Sequence, residues 1–193
     1  MKTKEFITVG AGRLKGRKIL LPQVETTRVT KSIARDSVFD TLQSEIANYA
    51  FVEVFAGSGS VGIEAYSRGS DAICFLEQSK KAYETLQKNI KDLSIKNTFC
   101  LFGDSFENIH QIQHYLLHQN LKAWFYIDPP FDIRSNYEDI YKKTSDLIEN
   151  LDKNCTRGVI VEHRSDARLS DLMGEFELYK RKKFGKTTLS YYI

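Results

Sequence analysis

Cysteine and proline are both scarce in this chain, three of each in 193 residues. Cys74, Cys100 and Cys155 are odd in number and far apart, which excludes a disulfide framework. They read as small buried hydrophobes in a reducing compartment. Three prolines and 11 glycines exclude a collagen-like or low-complexity chain. No apolar run approaches the roughly 20 residues of a membrane-spanning helix. The opening MKTKEFITVGAGRLKGRK lacks the apolar core of a secretory signal, so the expected location is the cytoplasm. No Ser/His/Asp or Cys/His arrangement points to a hydrolase, and no ligand spacing points to a catalytic metal. His110, His114 and His118 recur every four residues, which reads as the polar face of a helix.

What is present describes one folded domain: 41% hydrophobic, 12% aromatic and 27% charged residues. A chain of this length buries roughly 70% of its unfolded surface and needs no staple. The net charge of +3 conceals an uneven distribution. Residues 1–35 carry a net of +7, residues 36–179 a net of −9, and residues 180–193 a net of +5. A basic head and a basic tail segment around an acidic middle suggest a polyanionic partner.

Residues 5–21 predict two short strands around a Gly-rich turn, and helical periodicity runs from Thr30 to about Asn48. Strands and helices then alternate. Strands are expected at 51–55, 72–77, 98–102, 123–127 and 158–162, with helices at 61–68, 80–93, 106–118 and 137–151. Residues 176–184 and 187–193, joined through Gly185, predict a terminal hairpin. This order implies an α/β fold with a doubly wound, mostly parallel sheet and an antiparallel strand at the end.

The turn Ala56-Gly57-Ser58-Gly59-Ser60-Val61-Gly62 lies between a strand and a helix, where open α/β sheets bind ligands. Glu77 ends the next strand, placed to accept hydrogen bonds from the two hydroxyls of a ribose. NAD and S-adenosylmethionine both carry that ribose, so these features do not separate them. Asp104, after the third strand of the alternating series, can meet an adenine amino group, cap the following helix, or do both. Asp128-Pro129-Pro130-Phe131, after the fourth, chooses the chemistry. An exocyclic amino group is a poor nucleophile and must be held in line with the sulfonium methyl. The Asp128 carboxylate and the Pro129 carbonyl offer acceptors for its hydrogens. The prolines stiffen the turn, and Phe131 offers a face for a flipped base.

With these residues in view, the chain resembles class I S-adenosylmethionine-dependent methyltransferases. More closely it resembles the RsmD family, which methylates N2 of one guanine in bacterial small-subunit (16S) ribosomal RNA. The likeness is carried by GRLKGRKILLP (12–22), Arg28-Val29-Thr30 through Arg35-Asp36-Ser37-Val38-Phe39, FAGSGSVGIEAYSRG (55–69) and DPPF (128–131). Val29, Asp36, Glu53 and the pair Gln78-Ser79 depart from the family's usual residues.

The resemblance implies a Rossmann-like, seven-stranded sheet with a C-terminal antiparallel hairpin. Residues 1–25 would form a basic β-hairpin extension and residues 26–193 the S-adenosylmethionine-dependent domain. It implies that Glu53, Phe55, Gly57, Ser58 and Gly59 line the cofactor, Glu77 holds its ribose, Asp104 meets its adenine, and Asp128 borders it. Asp128, Pro129, Pro130 and Phe131 would hold the guanine. Arg13, Lys15, Arg17, Lys18, Arg28 and Arg35 would meet RNA phosphates. The partner is small-subunit rRNA or the assembled small ribosomal subunit, with no membrane, and the chain is expected to be a monomer. The competing readings are a DNA amino-methyltransferase, a nicotinamide dehydrogenase, and a non-catalytic RNA-binding module on the same fold.

Overall fold

The computed structural model describes residues 5–22, 32–70, 72–130 and 137–193. A hairpin of β1 (Phe6–Thr8) and β2 (Lys18–Leu20) comes first, followed by α1 (Ser32–Leu42). The alternating series then runs β3 (Ala50–Glu53), α2 (Ser60–Ser67), β4 (Ile73–Glu77), α3 (Lys80–Asp92), β5 (Thr98–Phe102), α4 (Ser105–His118), β6 (Ala123–Ile127), α5 (Tyr137–Glu149) and β7 (Thr156–Arg164). β8 (Leu172–Met173), β9 (Phe176–Phe184) and β10 (Thr187–Tyr192) complete it. The main sheet has the order β5-β4-β3-β6-β7-β10-β9-β8. β3 to β7 are mutually parallel, and β10 returns antiparallel to β7.

The near-continuous apolar runs follow from burial on both faces of the sheet. One face sets Phe51, Phe75, Trp124, Tyr126 and Leu189 against Val38, Phe39, Ile63 and Leu86 of α1, α2 and α3. The other sets Val52, Leu76, Phe125 and Val161 against Ile112, Leu116 and Ile148 of α4 and α5. From β3 the chain winds outward to β5, then crosses back to β6 on the other side of β3. The crevice between the carboxyl ends of β3 and β6 is therefore the topological switch point.

Two local expectations change. The helix predicted to continue to Asn48 ends at Leu42, and Gln43 takes φ 45°. Residues 43–48 follow as a 3₁₀ turn that buries Ile46. The sheet also gains the two-residue β8 beyond the seven strands expected, because a segment that short leaves no periodic signal.

The N-terminal hairpin is fastened to the alternating core by buried polar groups. Glu64 on α2 is 0% exposed, and its two oxygens accept from the amides of Gly10 (2.8 Å) and Ala11 (3.0 Å). Arg68 Nε donates to the same carboxylate at 2.7 Å. Asn89 on α3 exchanges hydrogen bonds with the Leu20 backbone and also donates to the Ser58 carbonyl. At Gly12, with φ +78°, a Cβ would sit 1.8 Å from the Ser67 carbonyl oxygen, so only glycine allows this approach. Val9 and Ile19 join the same core cluster as α1 and α2.

Replacing Glu64 with Ala removes the acceptor of two partly buried amides and of the Arg68 guanidinium. The expected loss is on the order of 3 kcal/mol, or about 6–12 °C in Tm, measured by thermal unfolding. A Tm within 2 °C of wild type would show that water reaches these groups.

Candidate functional site

Glycines at the end of β3 divide their work. Gly57 has φ 54°, and nothing lies within 4 Å of where its side chain would be. A Cβ on Gly59 would lie 2.4 Å from Leu86 Cδ1, and one on Gly62 would lie 2.5 Å from Phe75 Cε1. The first glycine thus opens the turn toward the crevice, while the other two let α2 and the turn press against the core.

Glu77, at the end of β4, shapes that opening. Its Oε2 accepts from Gly57 N–H at 2.7 Å and its Oε1 from Ser79 N–H at 2.6 Å. A carboxylate has about four acceptor sites, so each oxygen keeps capacity for a ribose hydroxyl. Open space at Gly57 beside a carboxylate already aligned by the backbone fits the adenosyl part of S-adenosylmethionine.

Glu53 acts differently. It is 3% exposed, and its two oxygens accept from Val61 N–H (3.2 Å) and Gly62 N–H (2.8 Å) at the start of α2. A carboxylate is favoured there by the unpaired amides and the helix dipole. Its influence on the crevice runs through the turn it holds. Phe55 is half-buried against Phe106, with ring centroids 5.3 Å apart. Ser58 is buried.

Asp104 caps α4, its Oδ1 accepting from Phe106 N–H (2.7 Å) and Glu107 N–H (3.4 Å). Next to it, at the end of β5, Phe102 is 55% exposed and stacks obliquely on Tyr83. Phe102 was expected only as the last residue of a strand. Its signal was position, since it is the last residue before Gly103-Asp104 on an edge strand.

Asp128 and Pro129 follow β6, Asp128 half-buried and Pro129 buried, at the carboxyl edge shared with Glu53 and Glu77. Pro130 is exposed. Phe131 lies outside the described residues. Just beneath, Tyr126 pairs in register with Glu53, and its hydroxyl donates to the buried Glu162 carboxylate. Burial first, and Glu162 second, push the Tyr126 phenol well above its ordinary pKa, so it remains a donor. Neither Tyr126 nor Glu162 was legible as a pair, since they are joined only through strand neighbours.

The basic head splits into two groups. Arg13 donates to the Tyr66 carbonyl (2.9 Å) and the Ser70 carbonyl (3.3 Å), and its guanidinium lies 3.6 Å from the centre of the Tyr66 ring. Arg17 donates to the Asp92 carbonyl at 3.3 Å. Both therefore sit on carbonyls at helix C-termini. Lys15 and Lys18 are exposed on the same hairpin, Lys18 passing over the Phe6 ring. Arg35, expected at the RNA surface, is instead 6% exposed and donates to the Thr8 carbonyl at 2.9 Å. It helps dock the hairpin because α1 presents this position to the core. Arg28 lies outside the described residues.

His163, at the end of β7, is 3% exposed, with Nε2 against Ser190 Oγ and Nδ1 against the Arg164 carbonyl, both at 2.8 Å. Burial lowers its pKa. His110, His114 and His118 lie exposed along α4, and no metal-binding group of three His, Cys, Asp or Glu occurs among the described residues. Among those residues no helix is long and apolar enough to cross a membrane.

A family model described as Conserved hypothetical protein 95 matches residues 7–193. Ribosomal RNA small subunit methyltransferase D of Buchnera aphidicola (subsp. Acyrthosiphon pisum) is 36% identical over 146 residues, 75% of this chain and 70% of that protein. The Escherichia coli K12 protein of the same name is 24% identical over 189 residues, 96% of this chain and 89% of that one. Among solved structures, the Escherichia coli protein yhhF, described as a candidate methyltransferase, matches with a TM-score of 0.76 at 22% identity, covering 97% of each chain. Thermus thermophilus 16S rRNA N2 G1207 methyltransferase (RsmC), solved with AdoMet and guanosine, gives 0.69 at 12% identity over 98% of this chain and 50% of that one. These structural likenesses carry the fold.

Two outcomes follow from the geometry. Glu77→Ala removes the ribose acceptor and the anchor of Gly57, and should weaken S-adenosylmethionine binding by about ten- to a hundredfold in calorimetry. Affinity unchanged from wild type would place the ribose elsewhere. Arg13→Ala should cost about 1–2 kcal/mol in denaturant unfolding, whereas Lys15→Ala with Lys18→Ala should leave stability within about 0.5 kcal/mol.

Proposed function

The chain belongs to the conserved hypothetical protein 95 family, the RsmD family of S-adenosylmethionine-dependent rRNA methyltransferases, and on that premise we propose that it methylates the exocyclic N2 of a guanine in small-subunit rRNA. The observation that carries this reading is the Asp128-Pro129-Pro130 segment at the end of β6, on the same sheet edge as Gly57 and Glu77. A nicotinamide enzyme has no use for that segment. A transferase acting on an amino group needs an acceptor at that place.

The roles divide accordingly. Glu77 holds the ribose, Gly57 and Ser58 leave room for the cofactor's approach, and Phe102 offers its adenine a face beside Asp104. The cofactor supplies an electrophilic methyl on a sulfonium. Asp128 and the Pro129 carbonyl accept the two N–H groups of the guanine N2, which turns its lone pair toward the methyl carbon. Transfer of that methyl to N2 would release S-adenosylhomocysteine, and Asp128, or water beside it, would take the proton that N2 loses. Positioning is the larger contribution, since the delocalised amino group reacts only in a narrow approach. Lys15 and Lys18 meet the RNA backbone from the hairpin, with Arg13 and Arg17 contributing charge from their helix-bound positions.

Methyl transfer from labelled S-adenosylmethionine, with the product digested to nucleosides, tests the reading. Small-subunit rRNA and small subunits from cells lacking this protein should yield N2-methylguanosine, and duplex DNA should stay unlabelled. Asp128→Ala should lower kcat by about 10²–10⁴ with little change in cofactor affinity. Near-wild-type turnover in that variant would remove Asp128 from the chemistry.

A further inference from the structure

The basic run at 180–186 has no part in the site described so far. It lies on and after β9. Because β10 runs antiparallel to β7, the end of β9 and the start of β10 come to the same sheet edge as Asp128. Register sets His163, Thr188 and Lys183 side by side across β7, β10 and β9. The row beneath on the same face is Val161, Ser190 and Arg181. Lys182 pairs with Leu189 on the opposite face and reaches Ser37 of α1.

The segment after β7 folds over this edge. Ser165 Oγ lies 2.9 Å from Thr188 Oγ1, and Ser165 N–H donates to the Lys186 carbonyl. Arg181 donates to the Leu169 carbonyl (2.9 Å) and to Asp171 (2.8 Å), which holds the far side of the segment down. The result is a cavity of about 540 Å³ lined by His163, Ser165, Arg168, Arg181, Lys183 and Thr188 among others.

Its charge is one-sided. Asp166 and Asp171, the acids of the segment after β7, are each held by an arginine, Arg164 and Arg181. Arg168 and Lys183 are exposed and have no acidic partner among the described residues. Ser165 Oγ donates to the Gly185 carbonyl at 3.0 Å and pairs with Thr188 Oγ1, so both hydroxyls are spent on the wall, and the two cations are the donors open to an oxyanion. Three strand spacings separate β6 from β9, or about 14 Å. A strand of nucleic acid with one base at Asp128 covers that distance in a few nucleotides. The cavity opens on the α4–α5 side of the sheet, whereas the N-terminal hairpin packs on the α2–α3 side.

On the reading that RNA is the substrate, we propose that this cavity seats one backbone phosphate of the strand carrying the target base. Arg168 and Lys183 neutralise it, and the bonded Ser165–Thr188 pair holds the wall between them in place. The RNA is then held from both faces of the sheet, by the hairpin on one side and this cavity on the other.

The test is binding of full-length small-subunit rRNA at about 50 to 200 mM salt. Arg168→Gln/Lys183→Gln protein is compared with wild type and with a Lys96→Gln control beside the far edge strand. The double variant should bind about tenfold more weakly. Its slope of log affinity against log salt should flatten by about 0.7 to 0.9, the contribution of one phosphate. Cofactor affinity and Tm should not move, and the charge-keeping Arg168→Lys/Lys183→Arg pair should restore binding. An unaltered slope in the double variant overturns the phosphate seat, as does an equal loss in Lys96→Gln, which would mean bulk charge alone. Methyl transfer is read separately. Wild-type protein that binds this RNA without methylating it would sink the methyltransferase reading, while the salt slope still decides the phosphate seat.

Discussion

A carboxylate taken out of water must receive N–H groups in exchange, and three glutamates impose that condition on this fold. Glu77 takes the amides of Gly57 and Ser79, Glu53 those of Val61 and Gly62, and Glu64 those of Gly10 and Ala11. Each joins segments that the chain leaves apart. Together they fix the turn after β3 to the end of β4, fix α2 to the end of β3, and fix the N-terminal hairpin to α2. The crevice at Gly57 stays open because the backbone around it is held by charge-assisted bonds that cannot be given up cheaply in a desolvated place.

The rest of the architecture serves that edge. Reversal of the strand order between β3 and β6 creates the crevice, and the two faces of the sheet are closed by α1 to α3 on one side and α4 and α5 on the other. The carboxyl edge stays uncovered at the switch point. Gly57, Glu77 and Asp104 stand on one side of the crevice, and Asp128 follows β6 on the other. Beneath them Tyr126 and Glu162 fill the space between neighbouring strands with a satisfied polar pair. The head of the chain is basic, and part of that basicity is structural. Arg13 and Arg17 bind helix carbonyls and Arg35 docks the hairpin, so positive charge in the head serves folding as well as any polyanion.

Much of this was legible in the chain. The order of strands and helices follows from periodicity, and the elements from β3 to β7 differ from expectation only at their ends. Glu77 was legible because its distance from Gly57 is set by one strand–helix–strand unit. Asp128 was legible because the strand before it is apolar throughout and the prolines end it. What failed to show was of another kind. The break at Gln43 has no glycine or proline to mark it. β8 is too short to carry a pattern. Arg35 was expected at the RNA surface from the family resemblance, yet α1 turns it inward. That Glu53 accepts from amides eight and nine residues ahead was not legible either, since the bonds depend on how α2 meets β3.

The sequence by itself determined the local periods, the turn chemistry and hence the α/β order, together with the acids and prolines that stand at strand ends. These are decided within a few residues, where side-chain spacing and backbone preference act directly. The tertiary structure decided which polar groups face the crevice and which are consumed inside. Asn89 reaches the Leu20 backbone across 69 residues, and strand register puts Thr188 between Lys183 and His163. Such partners depend on distances that exist only after the sheet has formed, so no window of sequence contains them.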